Sequence, residues 1–130
     1  MTEIPPADAV YLESMLDAIA RVRRYVGRKR RAGFLADAML QDAVIRNIEV
    51  LGEAAARISR EFAGRDATIP WRDIAGMRHR LIHGYLKVNL HTVWQVVDRD
   101  LALLERQLRE LLPEIPSRSR KRRPKARART

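Results

Sequence analysis

Asn89-Leu-His-Thr-Val-Trp-Gln-Val-Val-Asp-Arg-Asp-Leu-Ala-Leu-Leu-Glu-Arg-Gln-Leu-Arg-Glu-Leu-Leu112 decides the fold class. Leu90, Trp94, Val97, Leu101, Leu104, Leu108 and Leu111 recur at alternating steps of four and three, which keeps one face of a helix apolar. Asn89 is a natural N-cap for this helix, and Pro113 and Pro116 close it. A stripe of this length packs inside a helical bundle. The alternative is that part of it, with the small residues Ala54, Ala55 and Ala56, meets a second copy of the chain.

The rest of the body extends the pattern. Upstream, Pro70 suits the first turn of a shorter helix with Trp71, Ile74, Met77 and Leu81 on its buried side, interrupted at Gly84. Before it, Leu35, Ala38, Ile45, Ile48, Leu51, Ala55, Ile58 and Phe62 form one stripe, predicting a single helix from about Phe34 to Phe62 that Gly64 ends. The first helix is predicted over Ala7–Val26, with Leu12, Met15, Leu16, Ile19, Val22 and Val26 inward. Pro5 and Pro6 precede it, Asp8 puts negative charge in its first turn, and Gly27 stops it. Arg21, Arg23, Arg24, Arg28, Lys29, Arg30 and Arg31 read as a solvated turn at its end. The prediction is all-α, four antiparallel helices with short connections; no strand pattern competes and no repeat is present.

Composition narrows the function classes. The chain has 130 residues, 46% of them hydrophobic, enough for one modest core. Absence of cysteine excludes disulfides, thiolate metal sites and a cysteine nucleophile. Apolar runs are too short to span a bilayer and the N-terminus has no secretory pattern, so a cytoplasmic protein is expected. The formal charge is +10, but Ser117–Thr130 (SRSRKRRPKARART) carries eight of the 26 basic residues and no acid. Residues 1–116 are therefore nearly balanced, with 18 basic against 16 acidic side chains. We read 1–116 as the helical domain and 117–130 as a disordered tail that either solubilises or attracts nucleic acid and acidic surfaces.

Candidates for chemistry are few. No P-loop, GxGxxG or GxSxG is present, and no cofactor is implied. His79 and His83 have the i, i+4 spacing of a helical zinc pair, but Arg80 follows His79 where a zinc protease has Glu, and no third ligand is near. No metal is expected. The segment that stands out is Trp71-Arg-Asp-Ile-Ala-Gly-Met-Arg78-His-Arg-Leu-Ile-His83-Gly-Tyr85, containing Arg-x4-His-x-Tyr. Arg78 offers a permanently cationic planar fork suited to phosphate, and His83 can exchange a proton near neutrality. Tyr85 can bond a phosphate, orient His83 or stack on a base. Arginine and histidine together can cleave RNA without a metal, because RNA supplies its own 2′-OH nucleophile. The spacing is equally compatible with a surface arginine, a satisfied half-buried histidine and a core tyrosine. On a straight helix, moreover, positions five apart lie about 140° apart. Arg78 and His83 converge only if the helix ends or distorts near Gly84, or if a partner chain completes the site.

With these residues in view, the chain resembles the HepT-like group of HEPN-domain proteins. The resemblance extends to Arg46-Asn-Ile-Glu49-Val-Leu-Gly52-Glu53-Ala54, to Ile69-Pro70-Trp71 with Gly76-Met77-Arg78, and to Val88-Asn89 with Val93-Trp94, covering about residues 8–113. It implies a HEPN-like bundle of four to five antiparallel helices, homodimeric, with the motif lining a cleft at the dimer interface. It also implies a type VII-like toxin: a metal-independent endoribonuclease cutting tRNA or mRNA, with Arg78 and His83 catalytic. Its partner would be an MNT-type nucleotidyltransferase antitoxin that transfers AMP to Tyr85. Arg46, Glu49, Glu53 and His79 are candidate supporting residues, and Asp42 is a weaker one. His79 departs from the family, which commonly has a small polar residue there, and the basic tail lies outside the family core. Two other classes remain: a non-catalytic helical binding subunit of a minimal nucleotidyltransferase, and a simple basic nucleic-acid-binding protein whose tail carries the activity.

Overall fold

The computed structural model describes residues 3–83 and 87–111, with Ile82, His83 and Lys87 described by backbone alone. Gly84, Tyr85, Pro113, Pro116 and the basic tail lie outside the described residues. The fold is mostly helical, as the sequence predicts. Helix α1 (Pro6–Val26) starts where Pro6 supplies a helical φ and needs no hydrogen-bond partner for its nitrogen. It stops at Gly27, whose φ of 57° is one that glycine adopts without penalty. Leu12, Met15, Ile19, Val22 and Val26 are buried as expected, joined by Ala18.

The predicted second helix is in fact three. Helix α2 (Arg31–Leu35) ends at Ala36, α3 (Ala38–Ala56) restarts from Asp37, and α4 (Arg60–Ala63) restarts from Ser59. Both restarts are capped: the Asp37 carboxylate accepts from Leu40 N–H, and Ser59 Oγ accepts from Phe62 N–H. Gln41 donates to the carbonyls of Phe34 and Leu35, satisfying groups the break leaves exposed. Apolar periodicity ran through both breaks because Phe34 and Phe62, each 0% exposed, still point at the common core.

Helices α1 and α3 run antiparallel. Asp8, early in α1, meets Ser59 just past α3, while Arg21, late in α1, donates to Asn47 in mid-α3 at 2.8 Å. Asp8 therefore does more than complement the helix dipole: it is 2% exposed and ties the two helix ends together. Helices α5 (Trp71–Ala75) and α6 (Met77–Leu81) cross α3. The approach is close enough that a Cβ on Gly52 would lie 3.0 Å from the Ile74 carbonyl oxygen. Ala54 and Ala55 are already buried within the single chain, so the small-residue face serves internal packing; Ala56 is exposed.

Three more predictions need correction here. The helix expected from Pro70 is split at Gly76, with Pro70 just outside it. It ends at Leu81 rather than Gly84, because the chain enters a two-residue antiparallel ladder, β1 (Ile82–His83) with β2 (Lys87–Val88). Strands this short carry no alternation, so no sequence pattern announced them. Finally, the last helix is not a uniform α-helix. It comprises α7 (Leu90–Gln95), capped by Asn89 through Thr92 N–H as predicted, a π-turn (Val96–Asp100), and α8 (Leu101–Leu111). Val93 and Val96 are buried while Val97 is only half-buried, because the π-turn inserts a residue into the stripe. Leu101, Leu104 and Leu108 pack inward, and α8 lies against α1, where Arg23 pairs with Glu105. No helix among the described residues is long and apolar enough to cross a membrane.

Candidate active site

Four of the residues singled out from sequence come together. Arg46, Glu49 and Glu53 project from one side of α3, and Arg78 reaches the same place from α6. They line an open cleft of about 450 Å³ between α1, α3 and α6, together with Tyr11, Ser14, Arg57, Val50 and Ala54. Spacing explains the α3 contribution: residues three and four apart stack on one face, so 46, 49/50, 53 and 57 follow a single line. Gly52 makes the α6 contribution possible, since a side chain there would push α5 and its continuation away.

The charges in the cleft are paired loosely. Glu49 lies 3.7 Å from Arg46 and 3.8 Å from Arg78, through different carboxylate oxygens. Neither contact is a close bidentate fork, and the Arg78 side chain is 67% exposed. Arg57 donates to Glu53 at 3.0 Å. This bond, the attraction of Glu53 and a smaller effect of Tyr11 hold the guanidinium above its usual proton affinity. Exposed pairs of this kind are worth about 0–1 kcal/mol, so an incoming phosphate can replace a carboxylate at little cost. Three cations facing two anions leave the cleft positive.

Arg78 and His83 do not share a helix. Helix α6 stops at Leu81, and the backbone of His83 is in the ladder, paired with Lys87. This removes the angular objection that a straight helix would raise. It also separates His79 from His83, so the pair lacks the one-helix geometry of a zinc site. His79 is exposed on α6, and Asp42 and His91 are exposed elsewhere. Tyr85 lies outside the described residues.

A family model described as "Ribonuclease HepT-like" matches residues 15–111. This chain belongs to the HepT-like family. Curated relatives agree. It is 34% identical to a "Putative RNase" of Caldanaerobacter subterraneus subsp. tengcongensis over 78% of this chain and 91% of the other. It is 36% identical to a "Probable ribonuclease HepT" of Thermococcus cleftensis over 78% of this chain and 92% of the other. A third relative, from Methanocaldococcus jannaschii, is named "Gamma-glutamylcyclotransferase and putative RNase"; it is 36% identical over 82% of this chain, which spans only 48% of its length. No solved structure gives a significant match.

Tyr11, Ser14 and Arg57 of this HepT-like chain were not anticipated from sequence. Arg57 was findable as the i+4 partner of Glu53. Tyr11 and Ser14 become visible only once α1 is known to lie antiparallel to α3, which places early α1 beside late α3.

Proposed function

We propose that this HepT-like chain is a metal-independent endoribonuclease, the toxin of a type VII-like toxin–antitoxin pair. His83 removes the proton from an RNA 2′-OH; the 2′-oxygen attacks the adjacent phosphorus and the 5′-oxygen leaves with a proton, giving a 2′,3′-cyclic phosphate and a 5′-hydroxyl. Arg78 stabilises the charge that grows on the phosphoryl oxygens, and Arg46 and Arg57 hold flanking phosphates. Two chains in a homodimer would enlarge the cleft into an RNA channel. Neutralisation follows from Tyr85: its hydroxyl attacks the α-phosphorus of ATP on an MNT-type nucleotidyltransferase, pyrophosphate leaves, and the AMP adduct blocks RNA and competes for Arg78. The observation that carries this reading is Arg78 in an arginine-lined cleft, on a helix that ends two residues before His83, in a family described as ribonuclease.

The test is incubation of the chain, expressed without a partner, and of His83→Ala with total RNA in excess EDTA, followed by mapping of the ends. Cleavage by the wild type alone supports the proposal. Absence of cleavage by either, from protein whose intact mass shows no adduct, turns the reading to a binding subunit. Cleavage by both points to other catalytic residues.

A further inference from the structure

The basic turn after α1 does not simply face solvent. Arg23, Lys29, Arg30 and Arg31 line an open groove of about 550 Å³ against Trp94 and Asp98 of the last helix. Two of these cations are partly spoken for: Arg23 pairs with Glu105, and Lys29 lies 3.8 Å from Asp37. Arg30 and Arg31 make no ion pair among the described residues. The opposite wall includes the π-turn, a distortion that breaks an otherwise regular stripe where Val97 and Asp98 face the groove. Such turns often mark functional positions.

The lining is chemically mixed in one particular way. Four cations share the lining with the exposed edge of an otherwise buried indole, short apolar side chains and one carboxylate, Asp98, which is available as a hydrogen-bond acceptor. This suits a nucleotide unit, with phosphate on the guanidinium groups, a base face on the apolar side chains and a base amine on Asp98. An acidic peptide would use the cations but neither the apolar side chains nor Asp98. The groove is separate from the cleavage cleft. On α1, Tyr11 and Ser14 mark the cleft, whereas Arg23 and Val26 mark the groove. Twelve residues of helix put the two about 18 Å apart along the axis and about 120° apart around it. A dinucleotide is too short to reach from one to the other, whereas a folded RNA spans both.

We propose that this groove is an exosite for the phosphate backbone of a folded RNA substrate. The inference rests on the ribonuclease reading and adds to it a reason to prefer structured RNA over short strands.

The full chain is compared with a variant carrying Lys29→Gln, Arg30→Gln and Arg31→Gln, all exposed positions, after thermal unfolding shows that both fold. Bulk tRNA and the dinucleotide uridylyl-3′,5′-uridine are the probes. If three phosphate contacts are lost, the slope of log K against log salt for tRNA falls by about 2, and affinity near 0.1 M salt falls roughly ten- to a hundredfold. kcat/KM for the dinucleotide stays unchanged. In a Trp71→Phe background Trp94 is the remaining indole, and tRNA quenches it in the parent but not in the triple variant.

Equal tRNA affinity and slope in parent and variant would overturn the exosite and leave the ribonuclease reading intact. Groove-dependent tRNA binding without cleavage would do the reverse. No tRNA binding by the parent would remove both. Quenching by polyglutamate as strong as that by tRNA would assign the groove to an acidic protein partner instead.

Discussion

Replacing Asp8 with alanine should loosen the end of the bundle that carries Tyr11 and Arg57. Asp8 is 2% exposed and accepts two hydrogen bonds from Ser59, from N–H at 2.9 Å and from Oγ at 2.7 Å. Ser59 Oγ in turn accepts from Phe62 N–H at 3.1 Å, so one carboxylate orders the cap of α4. Hydrogen bonds to charged groups contribute about 1.5–3 kcal/mol each, and water entering the truncated site recovers part of that. The expected loss is about 2–4 kcal/mol. At about 4 °C per kcal/mol for a chain of this size, the melting temperature falls by roughly 8–16 °C. Asp8→Asn should cost about 1 kcal/mol, since its amide oxygen still accepts from Ser59 N–H. The assay is urea and thermal unfolding of Asp8→Ala, Ser59→Ala and the double variant. A coupling energy of about 1–2 kcal/mol is expected, because both substitutions break the same network. Strict additivity, or a loss below about 0.5 kcal/mol for Asp8→Ala, would refute the reasoning.

Three other perturbations test separate parts of the structure. Gly52→Ala gains about 1 kcal/mol of helix propensity but places Cβ 3.0 Å from a backbone carbonyl, an overpacking cost of about 1–3 kcal/mol. A net drop of a few degrees in melting temperature is expected, and a rise would show that α5 yields. Glu49→Gln releases Arg46 and Arg78 from exposed pairs, so stability should change by less than about 1 kcal/mol while KM for RNA falls several-fold; a higher KM in steady-state cleavage would contradict the phosphate role of those arginines. Asn89→Ala removes the bond to Thr92 N–H and should cost about 1 kcal/mol in urea unfolding, with unchanged stability counting against the cap.

The helical class was legible because burial writes itself into sequence at three- and four-residue steps, as from Leu12 to Val26 and from Leu101 to Leu108. What periodicity could not register was punctuation. Asp37 and Ser59 interrupt the second stripe through hydrogen bonds rather than through any change in apolar spacing. The π-turn adds a residue without altering the pattern of leucines. At the site, Arg46, Glu49, Glu53 and Arg78 were readable through family resemblance and a shared α3 face. Tyr11 and Ser14 were not, because their membership depends on which helix lies beside α3 and in which direction. His79 was a candidate for its neighbours' sake, and its position on α6 is exposed.

The π-turn also makes the last helix tolerant of a length change in an unusual place. Loops absorb insertions and deletions, whereas a regular helix interior does so only by rotating everything beyond by about 100° per residue. A π-turn uses one residue more than an α-turn, so removing one residue between Val96 and Asp100 would restore ordinary α-helical hydrogen bonding with both halves still in phase. Trp94 would stay beside Phe34, whose ring lies 5.4 Å away, and Leu101, Leu104 and Leu108 would stay in the core. The same deletion one turn later, within α8, would swing the rest of the helix off the core, so the surplus residue is a built-in slack that the remainder of the helix lacks.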